Sequence, residues 1–222
     1  MSATEKILQI VLVVLIILFM CCITWYACRR YNDNFSIVQS NLDGKKYYVR
    51  ANPSEPQAQK ETADYLAKLS ERISKLVTYM YDKKLPNEEI SKRLASRWRN
   101  CTLKETSEGE RSAAYTVNKG DEMRICVRTG NKLEDINTSM FVLLHELAHL
   151  MSNSYGHNAE FKENFSYIVH LASAIGTYKP QDFGGAPVNY CGNVVTIHST
   201  PCSDGLCEET TIPTDKPYGP LF

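Results

Sequence analysis

The sequence predicts an α+β fold, in which a small antiparallel sheet packs on helices, preceded by one transmembrane helix. Three observations predict it: a long apolar run near the N-terminus, two segments of helical periodicity followed by short strand-like segments, and two further helices closer to the C-terminus. No internal repeat is present, and the remainder of the 222-residue chain suits a single domain with its own core.

The apolar run extends from Ile7 to Cys28, with Gln9 and Thr24 as its clearly polar side chains. A helix rising about 1.5 Å per residue over this length crosses the roughly 30 Å hydrocarbon core of a bilayer. A cleaved signal peptide is the alternative, but its apolar region is about 7–15 residues long and ends at a small-x-small site. Here Trp25 stands where that site would be. We therefore expect an uncleaved anchor over residues 1–30.

The flanks of the run indicate which side of the membrane the domain occupies. Arg29 and Arg30 follow the run directly, and positive flanks favour the cytosol, so a single-pass protein with a cytosolic domain is expected. Four Asn-x-Ser/Thr triplets would instead be glycosylation acceptors in a secretory lumen. They begin at Asn34, Asn100, Asn137 and Asn164.

The cysteines outside the anchor leave the compartment open. Their number is odd, so they cannot all pair within the chain, and the absence of a CxxC motif argues against a structural zinc cluster. These residues are Cys101, Cys126, Cys191, Cys202 and Cys207.

Charge is balanced overall but uneven along the chain. From Asp43 to Lys132 there are 19 Lys and Arg against 13 Asp and Glu, a balance of +6; from Leu133 to Phe222 there are 3 against 10, a balance of −7. Two halves that attract each other within one domain explain this better than a nucleic-acid surface, which needs an uncompensated basic patch. No nucleic-acid partner is expected.

Polar and proline-rich composition predicts a juxtamembrane linker over residues 31–59, with a short strand at Lys46–Arg50. The folded domain is expected over residues 46–198, followed by a polar tail at 199–222. Apolar residues at steps of three and four predict an amphipathic helix from Glu61 to Tyr81. A second helix follows, capped by Asn87.

The segments CTLKET, SAAYTVN and EMRICVR are short and rich in β-forming residues, which predicts two or three strands. A third helix should run through Met151, capped by one of three polar residues, and a fourth should span Asn158 to Ile175 before Gly176 ends it. The candidate caps of the third helix are Asn137, Thr138 and Ser139. Asn193–His198 resembles one more strand.

The third predicted helix contains the motif HELAH, an HExxH pattern. His145 and His149 are four positions apart, so on a helix they lie on one face within reach of a single ion. Glu146 can approach a water on that ion without being a ligand. Apolar residues flank the motif on both sides, so a buried Glu146 would need a compensating charge, which a divalent cation supplies.

Zinc in a catalytic site takes three protein ligands and leaves one position open. His157 is the preferred third ligand, because Gly156 lets the chain reverse and His157 then opens the fourth helix. Glu160 or Glu163 on that helix would serve in a different geometry, and His170 is a more distant candidate.

HELAH, a short spacer and then GHNAEF resemble the pattern of the WLM and SprT-like zinc metallopeptidases, with WLM preferred. In those families a third histidine opens a helix and an aromatic follows four positions later; here these are His157 and Phe161. The strict resemblance covers Phe141 to Phe165. The spacer is a little longer than in typical WLM members and shorter than in many SprT-like ones.

The resemblance implies a zincin-like domain in which zinc, held by His145, His149 and His157, activates a water, with Glu146 as the general base. It also implies that a substrate adds as a strand to the sheet edge, for which EMRICVR is the expected counterpart. An oxyanion-stabilising donor is implied as well. Its candidates are Tyr155, Tyr167 and Tyr190.

These observations lead to the expectation of a membrane-anchored zinc metallopeptidase, a hydrolase acting on a protein or peptide substrate. Its small size and anchor suit a viral membrane protein, with a virion membrane as the alternative location. The competing expectation is a non-catalytic membrane or virion protein that binds a partner and whose zinc site only stabilises the fold.

Overall fold

The computed structural model describes residues 3–32, 35–52, 54–107, 110, 112–183 and 185–195. Expectations for Asn34, Cys202, Cys207, His198 and the tail 199–222 therefore lie outside the described residues. The described residues form five helices and nine strands. In chain order they are α1 Ala3–Asn32, β1 Phe35–Gln39, β2 Lys46–Arg50, α2 Pro56–Lys83, α3 Glu88–Asn100, β3 Thr102–Glu105, β4 Ala114–Val117, β5 Glu122–Ile125, β6 Arg128–Thr129, β7 Lys132–Leu133, α4 Ile136–Met151, α5 Ala159–Ala174, β8 Val188–Tyr190 and β9 Asn193–Val195.

Helix α1 contains the predicted apolar span. Its segment Lys6–Trp25 has a mean hydropathy of 3.1, and none of it is buried within the protein. A membrane anchor and a signal sequence share this length and composition.

The folded domain begins earlier than the sequence indicated. Strand β1 pairs antiparallel with β2 along its whole length, from Phe35 opposite Arg50 to Gln39 opposite Lys46. Helix α2 already starts at Pro56, because proline fits the first turn of a helix, where its missing N–H is not needed. Much of the expected linker 31–59 thus belongs to the domain, whose described part starts at Phe35 rather than Lys46.

The main sheet has the order β1-β2-β3-β5-β4 and is mixed, not antiparallel as expected. Strands β2 and β3, and β3 and β5, run parallel, whereas β4 and β5 form an antiparallel hairpin. Strands β2 and β3 are parallel because α2 and α3 carry the chain back between them, and a crossover of that kind joins parallel strands. Strands β3 and β5 are parallel because β4 lies between them in the chain and runs antiparallel to β5. The hairpin then places β4 outside β5, at the edge of the sheet.

Helix α2 supplies the predicted amphipathic face, whose apolar residues pack into the core. Leu66, Leu69, Ile73, Leu76 and Met80 are fully buried on it. Helix α3 begins as predicted, with the Asn87 side chain accepting a hydrogen bond from the Ile90 N–H at 2.9 Å.

The limits of helices α4 and α5 agree only partly with the limits predicted from the sequence. Helix α4 is capped by Asp135, whose carboxylate accepts from the Thr138 N–H at 2.8 Å, so the expected caps Asn137, Thr138 and Ser139 were wrong. Helix α5 is capped by Asn158 as predicted, through a 3.1 Å bond from the Phe161 N–H. It ends before Gly176, whose φ of 74° is accessible to glycine at no steric cost.

A disulfide joins the C-terminal hairpin to the sheet. Cys126 follows β5, and Cys191 lies in the turn between β8 and β9. Tyr190, fully buried beside it, donates from its hydroxyl to the Cys126 carbonyl at 2.5 Å, and the same hydroxyl is hydrogen-bonded to Ser139 Oγ on α4 at 3.1 Å. The hairpin, the sheet and the N-terminal part of α4 are therefore connected by one covalent bond and two hydrogen bonds.

Candidate metal centre and its cleft

Helix α4 carries the HExxH residues at the boundary between core and solvent. Leu143, Leu144 and Leu147 are fully buried, whereas His145 and His149 are half-buried. One helical turn separates these histidines, and their ring centroids lie 5.1 Å apart. The apolar residues around the motif thus fix the helix in the core and leave one face for the two imidazoles.

His157 joins them from the loop between α4 and α5. Gly156, with a φ of 80°, precedes it in a left-handed conformation that glycine adopts readily. His157 Nε2 lies 3.0 Å from His145 Nε2, and its ring centroid is 5.0 Å from that of His149. The ligand atoms of the three histidines all lie within 4.8 Å of one another.

Phe161 contacts all three imidazoles. Its ring centroid lies 4.8 Å from that of His145, 4.3 Å from that of His149 and 4.6 Å from that of His157, and the side chain is 3 % exposed. It therefore separates the histidine cluster from the core beneath, which restricts the rotamers that the rings can adopt.

The loop that presents His157 is fixed by Glu160. Its carboxylate accepts from the Asn153 N–H at 2.7 Å and from the Ser154 N–H at 3.0 Å, and it also bonds the Ser154 hydroxyl. These hydrogen bonds hold the pKa of Glu160 at about 2, below its ordinary value. Glu160 is thus occupied in holding the loop.

The other alternative ligands also lie apart from the cluster. Glu163 is exposed on α5, and neither it nor His170 joins the group of potential metal ligands found among the described residues, which consists of His145, His149 and His157.

Two of the three histidines are neutral at physiological pH. Burial, and then the neighbouring His149 and His157, lower the pKa of His145 to about 3. Burial, His157 and Lys119 lower the pKa of His149 to about 4. Neutral imidazoles have the free lone pair that a metal ligand requires, so the cluster has the right chemistry to hold a divalent cation.

Glu146 lies behind the histidines and is 6 % exposed. Its Oε2 accepts a 2.7 Å hydrogen bond from the Thr116 hydroxyl of strand β4. Burial raises the pKa of Glu146 to about 7, while the bond from Thr116 acts in the opposite direction. A carboxyl group with this pKa can accept and return a proton near neutral pH.

A cleft of about 350 Å³ opens in front of these residues. Strand β4 forms one wall, and the loop before His157 forms the other. Besides the histidines and Glu146, the cleft is lined by Ala114, Tyr115, Thr116, Asn118, Lys119, Tyr155 and Gly156. The strand at the cleft is β4 rather than EMRICVR, which lies inside the sheet as β5, so the expected edge strand was wrong.

The three candidate tyrosines occupy different places. Tyr155 lines the cleft and is 80 % exposed, with Lys119 Nζ 4.2 Å from its ring centroid. Tyr190 is buried, with both hydroxyl contacts made to Cys126 and Ser139. Tyr167 does not line the cleft.

Sequence reasoning missed two residues of the site, Thr116 and Lys119. In the sequence, Thr116 is recognisable only as a β-forming residue, because its contact with Glu146 depends on how the sheet packs on α4. Lys119 lies in the turn after β4 with a φ of 58° and bonds the Ser152 carbonyl at 3.2 Å. The strand-like segments SAAYTVN and EMRICVR indicated β4 and β5 but not the position of the turn between them beside the His157 loop.

The comparisons with known proteins give viral relatives. No protein-family model matches the chain. Uncharacterized protein R325 of Acanthamoeba polyphaga mimivirus is 28% identical over 198 residues, which span 87% of this chain and 96% of that protein. Two shorter matches each cover 32% of this chain. Uncharacterized protein 042R of Invertebrate iridescent virus 3 is 36% identical, and the match covers 46% of that protein. Uncharacterized protein 136R of Invertebrate iridescent virus 6 is 32% identical, and the match covers 40% of that protein.

Among solved structures, Wss1 from Saccharomyces cerevisiae gives a TM-score of 0.31 at 19% identity, covering 40% of this chain and 75% of that one. A TM-score this low does not establish a shared fold. The chemistry of the site therefore rests on this chain's own side chains.

Proposed function

We propose that this chain is a membrane-anchored zinc metallopeptidase, related at a distance to the WLM family, in which His145, His149 and His157 hold the metal. The observation that carries the proposal is the convergence of three imidazoles beside a buried carboxylate at the wall of an open cleft. A structural zinc site is normally closed by four protein ligands, whereas three ligands facing solvent leave a position for water or substrate.

The donor set supports zinc among the divalent metals. Imidazole nitrogens also suit copper, iron and nickel, but three histidines with one open position are a usual ligand set of catalytic zinc. His145 Nε2 and His157 Nε2 lie 3.0 Å apart, and the ligand atoms of all three histidines lie within 4.8 Å of one another, close enough for one ion to bind all three. When bound, zinc supplies a Lewis acid that polarises a peptide carbonyl and increases the acidity of a water molecule.

Glu146 performs the proton transfer. Thr116 donates to its Oε2, which leaves Oε1 as the atom that takes a proton from the attacking water and passes it to the leaving amine. Burial raises the pKa of Glu146 and so strengthens it as a base, and the same carboxyl group returns the proton later in the cycle.

The unpaired edge of β4 is the place for the substrate. Within the described residues β4 pairs only with β5, so its other edge can accept an extended peptide as an added strand. Tyr155, at the opposite wall, is the tyrosine placed to stabilise a developing oxyanion. The chemistry thus calls for a protein or peptide substrate.

We propose that helix α1 anchors the enzyme in a membrane. Arg29 and Arg30 favour a cytosolic domain, but the Cys126–Cys191 disulfide favours an oxidising compartment, because cytosolic thiols are kept reduced. The disulfide belongs to the folded domain itself, so we give it more weight and place the domain on the oxidising side.

The test compares wild-type and Glu146→Gln full-length chains, purified in detergent and assayed on a quenched-peptide library. We expect about one zinc per chain in both proteins. Cleavage by Glu146→Gln should fall by about 10²–10⁴-fold, because general acid–base catalysis contributes on this scale. Glu163→Gln, the same change at an exposed position on α5, should cleave like wild type.

Each alternative predicts a different result. A folded chain that binds no zinc contradicts the proposal. Zinc binding without cleavage in either protein supports the non-catalytic alternative, a membrane or virion protein whose zinc only stabilises the fold.

A further inference from the structure

A second cleft lies between helices α2 and α3 and strands β2 and β3. Its volume is about 600 Å³, larger than the 350 Å³ of the histidine cleft, and the two clefts share no lining residue. We call it the cationic cleft. Its lining includes Lys45, Lys46, Ser74, Trp98, Arg99 and Cys101.

The charges of the cationic cleft have one sign. Lys45, Lys46 and Arg99 line it, and no described Asp or Glu does. Asp43 is near its mouth, 3.9 Å from Lys45 Nζ, and also accepts from the Tyr47 hydroxyl at 2.8 Å. Asp121 and Glu122 also act on Cys101 from outside the lining, but Glu122 is offset by its ion pairs with Lys104 and Arg124. Lys45, Lys46 and Arg99 then remain in excess over Asp43 and Asp121, and this excess positive charge attracts an anion.

The wall of the cleft is aromatic and rich in hydroxyl groups. Trp98 donates from Nε1 to Ser74 Oγ at 3.1 Å, which holds its indole in place between α2 and α3. Tyr47 is 5 % exposed, and Val77 of α2 is also buried. A ligand with an apolar or planar body can therefore pack against Trp98 while its charged end reaches the cations.

Cys101 lines the same cleft but is not suited to react. Burial raises the pKa of its thiol to about 12, so the group stays protonated at neutral pH. A protonated thiol is a poor nucleophile and a poor metal ligand, so Cys101 is not a candidate for chemistry in this cleft.

We propose that the cationic cleft binds an organic phosphate, with the phosphate at Lys45, Lys46 and Arg99 and the rest of the molecule against Trp98. A volume of about 600 Å³ exceeds the needs of inorganic phosphate and matches small-molecule sites of roughly 300–1,000 Å³. Arginine and lysine are the usual partners of phosphate groups. A free nucleotide and a phosphorylated lipid headgroup share this chemistry.

The fluorescence of Trp98 can be used to measure binding in the cationic cleft. The chain has 2 tryptophans, Trp25 in the apolar helix and Trp98 in the cleft. In a Trp25→Phe background, the fluorescence of the full-length chain in phosphatidylcholine nanodiscs therefore reports on Trp98 alone. The titrants are ATP and inositol trisphosphate, with inorganic phosphate for comparison. A parallel sample contains nanodiscs with a phosphoinositide.

We expect a saturable fluorescence change with ATP or inositol trisphosphate, or a shifted spectrum in phosphoinositide nanodiscs. The first result identifies a free ligand and the second a lipid headgroup. Lys46→Gln with Arg99→Gln should weaken binding by at least about tenfold, since hydrogen bonds to charged groups contribute strongly. The control, Lys68→Gln with Lys132→Gln, removes the same charge at exposed positions outside the cleft and should bind like wild type.

Any one of four results would overturn the proposal. One is no change with any organic phosphate or phosphoinositide. The second is an equal effect of sodium chloride at matched ionic strength, and the third is equal weakening in the control variant. A response to single-stranded DNA without a response to the small phosphates would also overturn it, in favour of a nucleic-acid surface.

Discussion

The two halves of helix α4 differ in how their polar groups are satisfied. In the N-terminal half, Ser139 is fully buried and shares hydrogen bonds with the hydroxyls of Tyr65 and Tyr190, at 2.8 and 3.1 Å. All of these groups are neutral. In the C-terminal half, His145 and Glu146 are ionisable groups whose pKa values are moved by burial, to about 3 and about 7.

The difference indicates that the two halves of helix α4 have separate roles, one in positioning and one in chemistry. Ionisable groups in a poorly solvated place cost folding free energy, and they persist only where the surroundings hold them. The N-terminal half is held by Tyr190 and the Cys126–Cys191 disulfide, so it can position the C-terminal half without contributing to chemistry. If so, changes in the two halves should affect different measurements.

The largest expected effect is on metal affinity, from His157→Ala. Losing one of three ligands should weaken zinc binding by more than about 100-fold, because changes even outside the ligand shell cost up to about that much. The metal-free protein should keep its unfolding free energy within about 0.5 kcal/mol, since His157 is exposed. Competition with a chelating dye and chemical denaturation measure the two quantities.

His170→Ala is the matched control, because it removes an imidazole from α5 outside the cluster. If both variants bound zinc like wild type, the assignment of His157 as a ligand would be wrong.

Cys191→Ser tests the other half of the helix and should show the opposite pattern. The disulfide closes a sequence separation of 65 residues, and cross-links of this span contribute about 2–4 kcal/mol by restricting the unfolded chain. Denaturation should show that loss, while zinc affinity stays within about threefold of wild type. Cys101→Ser, at a free cysteine, should leave zinc affinity unchanged. A loss of zinc binding in Cys191→Ser alone would show that the two halves are coupled.

The smallest expected effect comes from Glu160→Gln, which weakens the support of the His157 loop. Zinc affinity should fall by only about threefold to tenfold, because no ligand is lost. The pKa of Glu160 is lowered to about 2, so its carboxylate stabilises the loop above the ordinary pKa of 4.5 and ceases to do so as the pH falls towards 2.

Hydrogen exchange at the Asn153 and Ser154 amides measures this effect directly. Corrected for intrinsic rates, protection in the wild type should stay constant from pH 7 to about 4.5 and fall below that. In Glu160→Gln this protection should be weaker than in the wild type throughout the range from pH 7 to about 4.5, and Glu163→Gln should behave like wild type. Equal protection in wild type and Glu160→Gln would exclude the carboxylate as the group that holds the loop.

Local signals in the sequence were sufficient for most helices. The spacing of Leu66, Leu69 and Ile73 gave α2, and Asn87 and Asn158 gave the starts of α3 and α5, because caps and periodicity act within a few residues. The HExxH spacing, together with Gly156, indicated which three histidines would lie close together, and their ligand atoms lie within 4.8 Å of one another.

Strand pairing and side-chain contacts between residues far apart in the sequence could not be predicted from local patterns. The parallel pairing of β2 with β3 depends on the path of α2 and α3, and the edge position of β4 depends on β3 pairing with β5 instead. The pairing of Cys126 with Cys191 and the contact of Thr116 with Glu146 likewise arise from packing. None of these contacts produces a repeating residue pattern in the sequence.

The short connection between α1 and β1 limits how far the enzyme could reach. Helix α1 ends at Asn32 and β1 begins at Phe35, so the backbone between them covers at most about 11 Å when fully extended. With α1 in a bilayer, the domain is tethered almost at the lipid surface and cannot search the surrounding solution. Under the proposed function, its substrates would then be proteins of the same membrane, met by lateral diffusion and cut in the segments just outside the lipid.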